Sequence, residues 1–218
     1  DSSQSQYNDV IKKWDELANH CDARILRGIF AYGFETPSPI QQKAILPMIA
    51  RHDILAQAQS GTGKTGCFTI GTLVNIDTEK KVVQAILLAP TRELAIQIKT
   101  VVDELGQFIT GLTTQLLIGG TSSDETINLL KTNSPHIIIG CPGRVYDMLR
   151  RKQISPKHLK VIVLDEADEM LSVGFKEQVY KIFEFMPNDI QVALFSATMP
   201  TELITLTDRF MRNPVKVL

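Results

Sequence analysis

Two short stretches of this chain carry residue types spaced for work on a polyphosphate. The first is Ala58-Gln59-Ser60-Gly61-Thr62-Gly63-Lys64-Thr65. It matches the phosphate-binding P-loop pattern, except that Ala58 stands where a glycine is usual. Gly61 and Gly63 permit a tight turn that aims backbone N–H groups, with those of Ser60 and Thr62, at phosphate oxygens. Lys64 supplies a point charge for the β- and γ-phosphates, and Thr65 a hydroxyl for Mg²⁺. A helix opening at Lys64 adds the positive end of its dipole. The second stretch is Asp165-Glu166-Ala167-Asp168, which ends the apolar run Lys160–Leu164. A carboxylate at the end of a buried strand is costly unless it meets a cation or donors. Mg²⁺ on a bound nucleotide is the natural partner, so Asp165 is the metal candidate. Glu166 is the candidate for positioning or deprotonating an attacking water. Lys64, Asp165 and Glu166 are therefore the expected catalytic set. The same acidic residues also suit a plain helix N-terminus, where carboxylates complement the dipole.

The elements that must hold these residues are legible from periodicity. Short, mostly continuous apolar runs predict strands at Asp53–Gln57, Gln84–Ala89, Thr114–Ile118, His136–Gly140, Lys160–Leu164, Gln191–Phe195 and Val215–Leu218. Such runs read as strands buried on both faces. Helical patterns predict Arg24–Tyr32, Ile40–Ile49, Lys64–Asn75, Arg92–Ile109, Ser123–Lys131, Arg144–Arg150, Phe175–Phe185 and Glu202–Phe210. Alternation of this kind implies an α/β fold: a three-layer, open, mostly parallel sheet with helices on both faces. Ligands on such sheets bind beyond the carboxyl ends of the strands, where both stretches fall. The first thirteen residues are polar and are expected to form a mobile arm, leaving 14–218 as one domain.

Composition narrows the function classes. The 218 residues carry 23 Lys and Arg against 24 Asp and Glu, a net charge of −1, so any nucleic-acid surface must be a local patch. Three widely separated cysteines show no zinc spacing and no disulfide framework, which points to a reducing compartment. No apolar run is long enough to span a bilayer, and the polar start, Asp1-Ser2-Ser3-Gln4, holds no targeting signal.

The DEAD stretch, with the motifs around it, resembles the first domain of the DEAD-box ATP-dependent RNA helicases. Gly33-Phe34-Glu35-Thr36-Pro37-Ser38-Pro39-Ile40-Gln41 resembles the family's Q motif, and Pro90-Thr91-Arg92-Glu93-Leu94-Ala95 its motif Ia. Gly119-Gly120 resembles the GG motif, Cys141-Pro142-Gly143-Arg144 motif Ib, and Ser196-Ala197-Thr198 motif III. Alanine at position 58 is also usual in that family. The resemblance implies a RecA-like P-loop domain that binds ATP and Mg²⁺, the metal held through Thr65 and Asp165. It places Phe34 and Gln41 at the nucleotide. An amide such as that of Gln41 suits the adenine edge, which presents a donor beside an acceptor, though a lone Gln at this place also serves as a helix cap. Trp14 is the candidate to stack on the base, or equally an anchor for the arm. It stands about two residues further from Gln41 than is usual in the family.

Motifs Ia, GG and Ib imply contacts to an RNA backbone by Pro90, Thr91, Arg92, Gly119, Gly120, Gly143 and Arg144. Thr91 and the two arginines bring donors and charge, and the glycines bare N–H groups, which predicts binding of single-stranded or locally duplex RNA without regard to sequence. Arg92 alternatively forms an intramolecular ion pair. Cys141 stands where the family usually has Thr, and a thiol is a poor donor to phosphate. Asp168, Ser196 and Thr198 are expected to couple RNA binding to the nucleotide, or else to form an ordinary strand-end hydroxyl pair. The family uses two RecA-like domains and this chain carries the motifs of the first, so half an enzyme is expected, nearly inactive alone. Several stretches look closest to the family's translation-initiation branch, with the exon-junction branch as competitor. That implies a monomer in the cytoplasm, or the nucleus for the competitor, partnered by its second domain and an initiation scaffold. A generic P-loop NTPase and a non-catalytic interaction module that keeps the fold are the remaining alternatives.

Overall fold

The computed structural model describes residues 9–172 and 174–218. Along the chain, a 3₁₀ turn at Trp14–Asn19 leads into helices α1 (Ala23–Tyr32) and α2 (Pro39–Ile49). Then follow β1 (Ile54–Gln57), α3 (Lys64–Leu73), β2 (Ala85–Leu88), α4 (Arg92–Leu105), β3 (Thr114–Leu117), α5 (Ser123–Asn133), β4 (Ile137–Gly140) and α6 (Pro142–Arg150). After a second 3₁₀ turn at Pro156–His158 come β5 (Val161–Leu164), α7 (Ala167–Ser172), α8 (Lys176–Phe185), β6 (Gln191–Ser196), α9 (Thr201–Phe210) and β7 (Val215–Val217). The strands expected from the apolar runs are all present, within a residue or two at each end.

Among the described residues the strands form one sheet in the order β3-β4-β2-β5-β6-β1-β7, and each neighbouring pair is parallel. Period-two alternation splits the core into two layers. Ile54, Ala56, Ala85, Leu87, Val161, Val163, Ala193 and Phe195 face α1–α4. Leu55, Ile86, Leu88, Ile162, Leu164, Val192 and Leu194 face α5–α9. Side-chain hydroxyls and carboxylates start the helices: Asp22 caps α1, Ser38 α2, Thr91 α4 and Ser122 α5. Asp53 ties the opposite edge of the sheet, accepting from the N–H groups of Val192 (2.9 Å) and Arg212 (2.8 Å).

Three features differ from the expectations. The helix from Arg92 ends at Leu105 rather than Ile109, because Gly106 closes it with a backbone bond to Val102 and a turn follows. The acidic stretch turns at Asp165-Glu166 and runs from Ala167 into the short helix α7, which periodicity does not reveal. Of the arm expected at 1–13, residues 1–8 lie outside the described residues, and the following segment is docked: Ile11 is buried and its N–H donates to the Gln42 carbonyl at 3.1 Å.

Candidate functional site

The sheet order decides what meets what. β1, β6 and β5 are neighbours, so the loops leaving their carboxyl ends converge: the P-loop, the Ser196–Thr198 segment and the acidic stretch. The Ala58 N–H donates to the Ser196 carbonyl at 2.9 Å, joining the first two. β2, β4 and β3 form the other half of the same edge. Pro90–Arg92, Cys141–Arg144 and Gly119–Gly120 leave from their ends.

The P-loop turns on two left-handed glycines, Gly61 (φ 82) and Gly63 (φ 85). Gly63 also has no room for a side chain, since a Cβ there would lie 2.6 Å from the Ser38 Oγ. Thr62 Oγ1 donates to the Gln59 carbonyl at 2.6 Å, closing the loop on itself. Lys64 is 5% exposed and its Nζ meets Asp165 Oδ1 at 2.9 Å and Glu166 Oε1 at 3.7 Å. Asp165 is fully buried, and burial pushes its carboxyl above the usual range, opposed by the Lys64 ammonium. Its Oδ2 is buried with no hydrogen-bond partner among the described residues. A buried carboxylate oxygen left without a donor fits a hard divalent cation such as Mg²⁺.

Glu166 adopts φ 50, a left-handed turn uncommon for a residue with a side chain. That turn ends β5 and starts α7. It also brings Glu169 onto Glu166: a side-chain hydrogen bond between the two carboxyls raises the Glu169 pKa, with burial adding to it. Glu169 is absent from the residues chosen from sequence. Only the helical spacing from Glu166 hints at it, and the spacing means nothing until the turn is known.

Asp168, Ser196 and Thr198 form a closed triangle. Asp168 Oδ2 accepts from the Thr198 N–H at 3.1 Å and hydroxyl at 2.7 Å. Ser196 Oγ donates to the Thr198 carbonyl (2.7 Å) and accepts from the Asp168 N–H (3.2 Å). Burial alone would raise the Asp168 pKa, but these hydrogen bonds outweigh it and hold the carboxyl below its ordinary value. A cleft of about 600 Å³ opens here, lined by Ser60, Lys64, Glu166, Asp168, Glu169 and Thr198 among others. A hollow of about 330 Å³ lies on the other side of the P-loop, between Ser38–Ile40 and Ala58, Gly61 and Thr62.

Gln41 joins α2 to the P-loop. It is 2% exposed. Its Oε1 accepts from the Ser38 N–H (2.8 Å) in a capping box, and its Nε2 donates to the Gly63 carbonyl (3.0 Å). The capping alternative is thus realised, together with a brace on the phosphate loop. Trp14 is 2% exposed and stacks on Phe34, centroids 5.7 Å apart at 23°. A ring buried under Phe34 is an anchor for the N-terminal segment and presents no face to a base. Phe34 itself also packs on Tyr32 (4.6 Å) and over Gly66, where a Cβ would come within 2.9 Å of its ring.

On the other half of the edge, Thr91 Oγ1 accepts from the Leu94 N–H and caps α4. Arg92 is exposed, and its guanidinium lies against Gly120 so closely that a Cβ there would sit 2.5 Å from Nη1. It makes no ion pair among the described residues. Pro90 is buried and Gly143 open. Cys141 is the N-cap of α6 without a side-chain bond, its thiol pKa raised by burial and by Glu93. Arg144 points back at the loop before α5 rather than outward, with bonds to Thr121 and Thr126.

Comparison with known proteins agrees with this geometry. Residues 38–206 match the family model of DEAD/DEAH box helicases. The chain is 51% identical over 215 residues to the ATP-dependent RNA helicase eIF4A of Lodderomyces elongisporus, which covers 99% of this chain and 53% of that protein. It thus spans about half the length of the curated relative. Among solved structures, a DEAD box protein from Methanococcus jannaschii matches with a TM-score of 0.89 at 35% identity, over 95% of this chain and 56% of that one. S. cerevisiae Dbp5 bound to RNA and ADP BeF3 matches with a TM-score of 0.83 at 37% identity, over 95% and 52%.

Proposed function

The chain belongs to the DEAD/DEAH box helicase family, and from that premise we propose that it is the ATP-binding half of an ATP-dependent RNA helicase serving translation initiation. The observation that carries the reading is the division of one sheet edge. Lys64, Asp165 and Glu166 gather at the ends of β1 and β5 beside β6, and the Ia, GG and Ib residues at the ends of β2, β3 and β4.

ATP would sit with its phosphates on the N–H groups of Ser60–Lys64 and the dipole of α3. Thr65 and Asp165 would hold Mg²⁺, which when bound neutralises charge on the phosphate oxygens. Lys64 would exchange its Asp165 partner for the β- and γ-phosphates. Glu166, turned into the cleft at its left-handed φ, would hold the proton of an attacking water. Phe34 and Gln41 would serve the base, as the family resemblance implies. Gln41 uses one N–H on Gly63, so its reading of adenine rests on the amide's remaining capacity. The Asp168–Thr198 pair is suited to reporting a shift of β6 to the acidic stretch. Pro90, Thr91, Arg92, Gly119, Gly120 and Gly143 would meet the RNA backbone, contacts that carry no base-sequence information. Likeness to eIF4A supports a cytoplasmic initiation role, with the second RecA-like domain and a scaffold protein as partners.

The test is turnover. The chain alone should bind Mg-ADP and single-stranded RNA yet hydrolyse ATP only slowly, because charge stabilisation from a second domain can be worth several orders of magnitude. RNA-stimulated hydrolysis by this chain at rates of a two-domain helicase would contradict the reading.

A further inference from the structure

Arg144 was expected at the RNA backbone, yet three of its five N–H donors are turned to partners inside the protein. Nη1 donates to the Thr126 Oγ1 at 2.8 Å and, more weakly, to the Thr121 Oγ1 at 3.5 Å. Nη2 donates to the Thr121 carbonyl at 2.8 Å. Thr126 is no surface acceptor: it is 4% exposed, on the inner side of α5, and its hydroxyl in turn donates to the Ser122 carbonyl at 3.2 Å. The guanidinium therefore bridges the first turns of α5 and α6 and grips the loop between β3 and α5 from beneath.

That loop carries Gly119 and Gly120, both exposed, with Gly120 in the left-handed region at φ 93. From its outer side the Arg92 guanidinium rests on Gly120. A loop with two glycines has many conformations to lose, and only a side-chain clamp holds its N–H groups at one place. The fork of an arginine does this where a lysine's single point of attachment does not.

We infer that Arg144 is a positioning residue of the RNA face, acting through Thr121 and Thr126 to hold the Gly119–Gly120 loop, and not a ligand of RNA phosphate. The inference rests on the proposed RNA role of that loop, but the clamp itself is measurable without RNA.

Two variants separate the readings. Arg144→Lys keeps the charge and loses the fork. Thr126→Val keeps Arg144 and, at nearly constant volume, removes its buried acceptor together with that hydroxyl's own bond to the Ser122 carbonyl. A phosphate ligand would tolerate both, and in Thr126→Val the arginine, left with its Thr121 bonds alone, would bind RNA as well or better. A clamp is broken by both. Backbone amide spectra of Gly119, Gly120 and Thr121 in the chain without RNA should shift and their hydrogen exchange quicken in each variant. The urea midpoint shows that the rest of the fold persists. Affinity for a fluorescent oligouridylate at low salt should fall about tenfold in each. The slope of log affinity against log salt should stay at the wild-type value, whereas losing a phosphate contact lowers it by about 0.7. Unchanged amides in either variant would overturn the clamp, whatever the RNA result. Shifted amides in both, in a chain that binds no oligouridylate, would uphold the clamp and count against the proposed function instead. Wild-type affinity for Arg144→Lys or for Thr126→Val would return Arg144 to the phosphate.

Discussion

Lys64→Ala should unfold this domain more easily, and increasingly so as the pH rises. In the resting chain Lys64 Nζ lies 2.9 Å from a carboxylate that is wholly buried and whose second oxygen has no partner. Truncating the lysine leaves Asp165 with the Glu166 N–H (3.0 Å) as its remaining donor. Breaking a buried pair by removing one partner costs about 3–5 kcal/mol, mostly the penalty of the stranded charge. The sign of the pH dependence follows from the direction of the shift. Burial already holds the Asp165 pKa above its unfolded value, so the protonated acid is the form the fold prefers. Its contribution is present at low pH and fades as pH rises through the folded pKa. Without the ammonium that pKa moves further up, and the fading extends toward neutrality with a slope of at most about 1.4 kcal/mol per pH unit. Urea unfolding of wild type and Lys64→Ala in chelator-containing buffer from pH 5 to 8 should show a small difference at the acid end and several kcal/mol at the alkaline end. Asp165→Asn in the Lys64→Ala background should recover most of the loss, because it removes the charge itself. A penalty under about 1 kcal/mol that does not change with pH, or strictly additive effects of the two substitutions, would mean that Lys64 does not neutralise a stranded Asp165 charge.

Two further outcomes follow from other contacts. Gly28→Ala should destabilise by about 1–3 kcal/mol in the same assay, because a Cβ there would lie 2.0 Å from the Leu105 carbonyl oxygen where α1 crosses α4. Gly143→Ala, with open space around it, should cost much less. Thr198→Val removes the hydroxyl 2.7 Å from Asp168 and should cost about 1 kcal/mol near neutral pH, at the low end for a charged acceptor because Thr198 is exposed. Since the Asp168 pKa is held down in the fold, that contribution is present above the ordinary carboxylate range and should vanish as pH falls through the folded pKa. A gap that persists at pH 2 would argue against the Asp168 carboxylate as the partner.

What the residues alone revealed, and what they hid, divides on a physical line. Strands such as Ala85–Leu88 and Ile137–Gly140 are legible because burial on both faces demands an unbroken apolar run. The P-loop and the acidic stretch are legible because phosphate chemistry needs a few residue types at short spacing. What depends on one backbone turn or on a distant partner is hidden. The φ of Glu166, which creates α7 and brings Glu169 to it, has no signature in Asp-Glu-Ala-Asp. Trp14 looks like a base-stacking ring until Phe34 is seen to cover it. Gln41 and Arg144 have the right chemistry for adenine and phosphate, but each satisfies a nearer backbone first, on Gly63 and on Thr121. Residue type sets what a side chain can bond, and the fold decides what it does bond.

On the proposed function, this sheet edge is an adenine-nucleotide site read in part through Gln41. Calorimetric titration of Mg-ADP and Mg-GDP into the chain, and then into Gln41→Ala, tests it most directly. The wild-type chain should bind ADP clearly over GDP, and the variant should lose that preference. Equal binding of the two nucleotides by the wild-type chain, or a preference for ADP that survives Gln41→Ala, would contradict it.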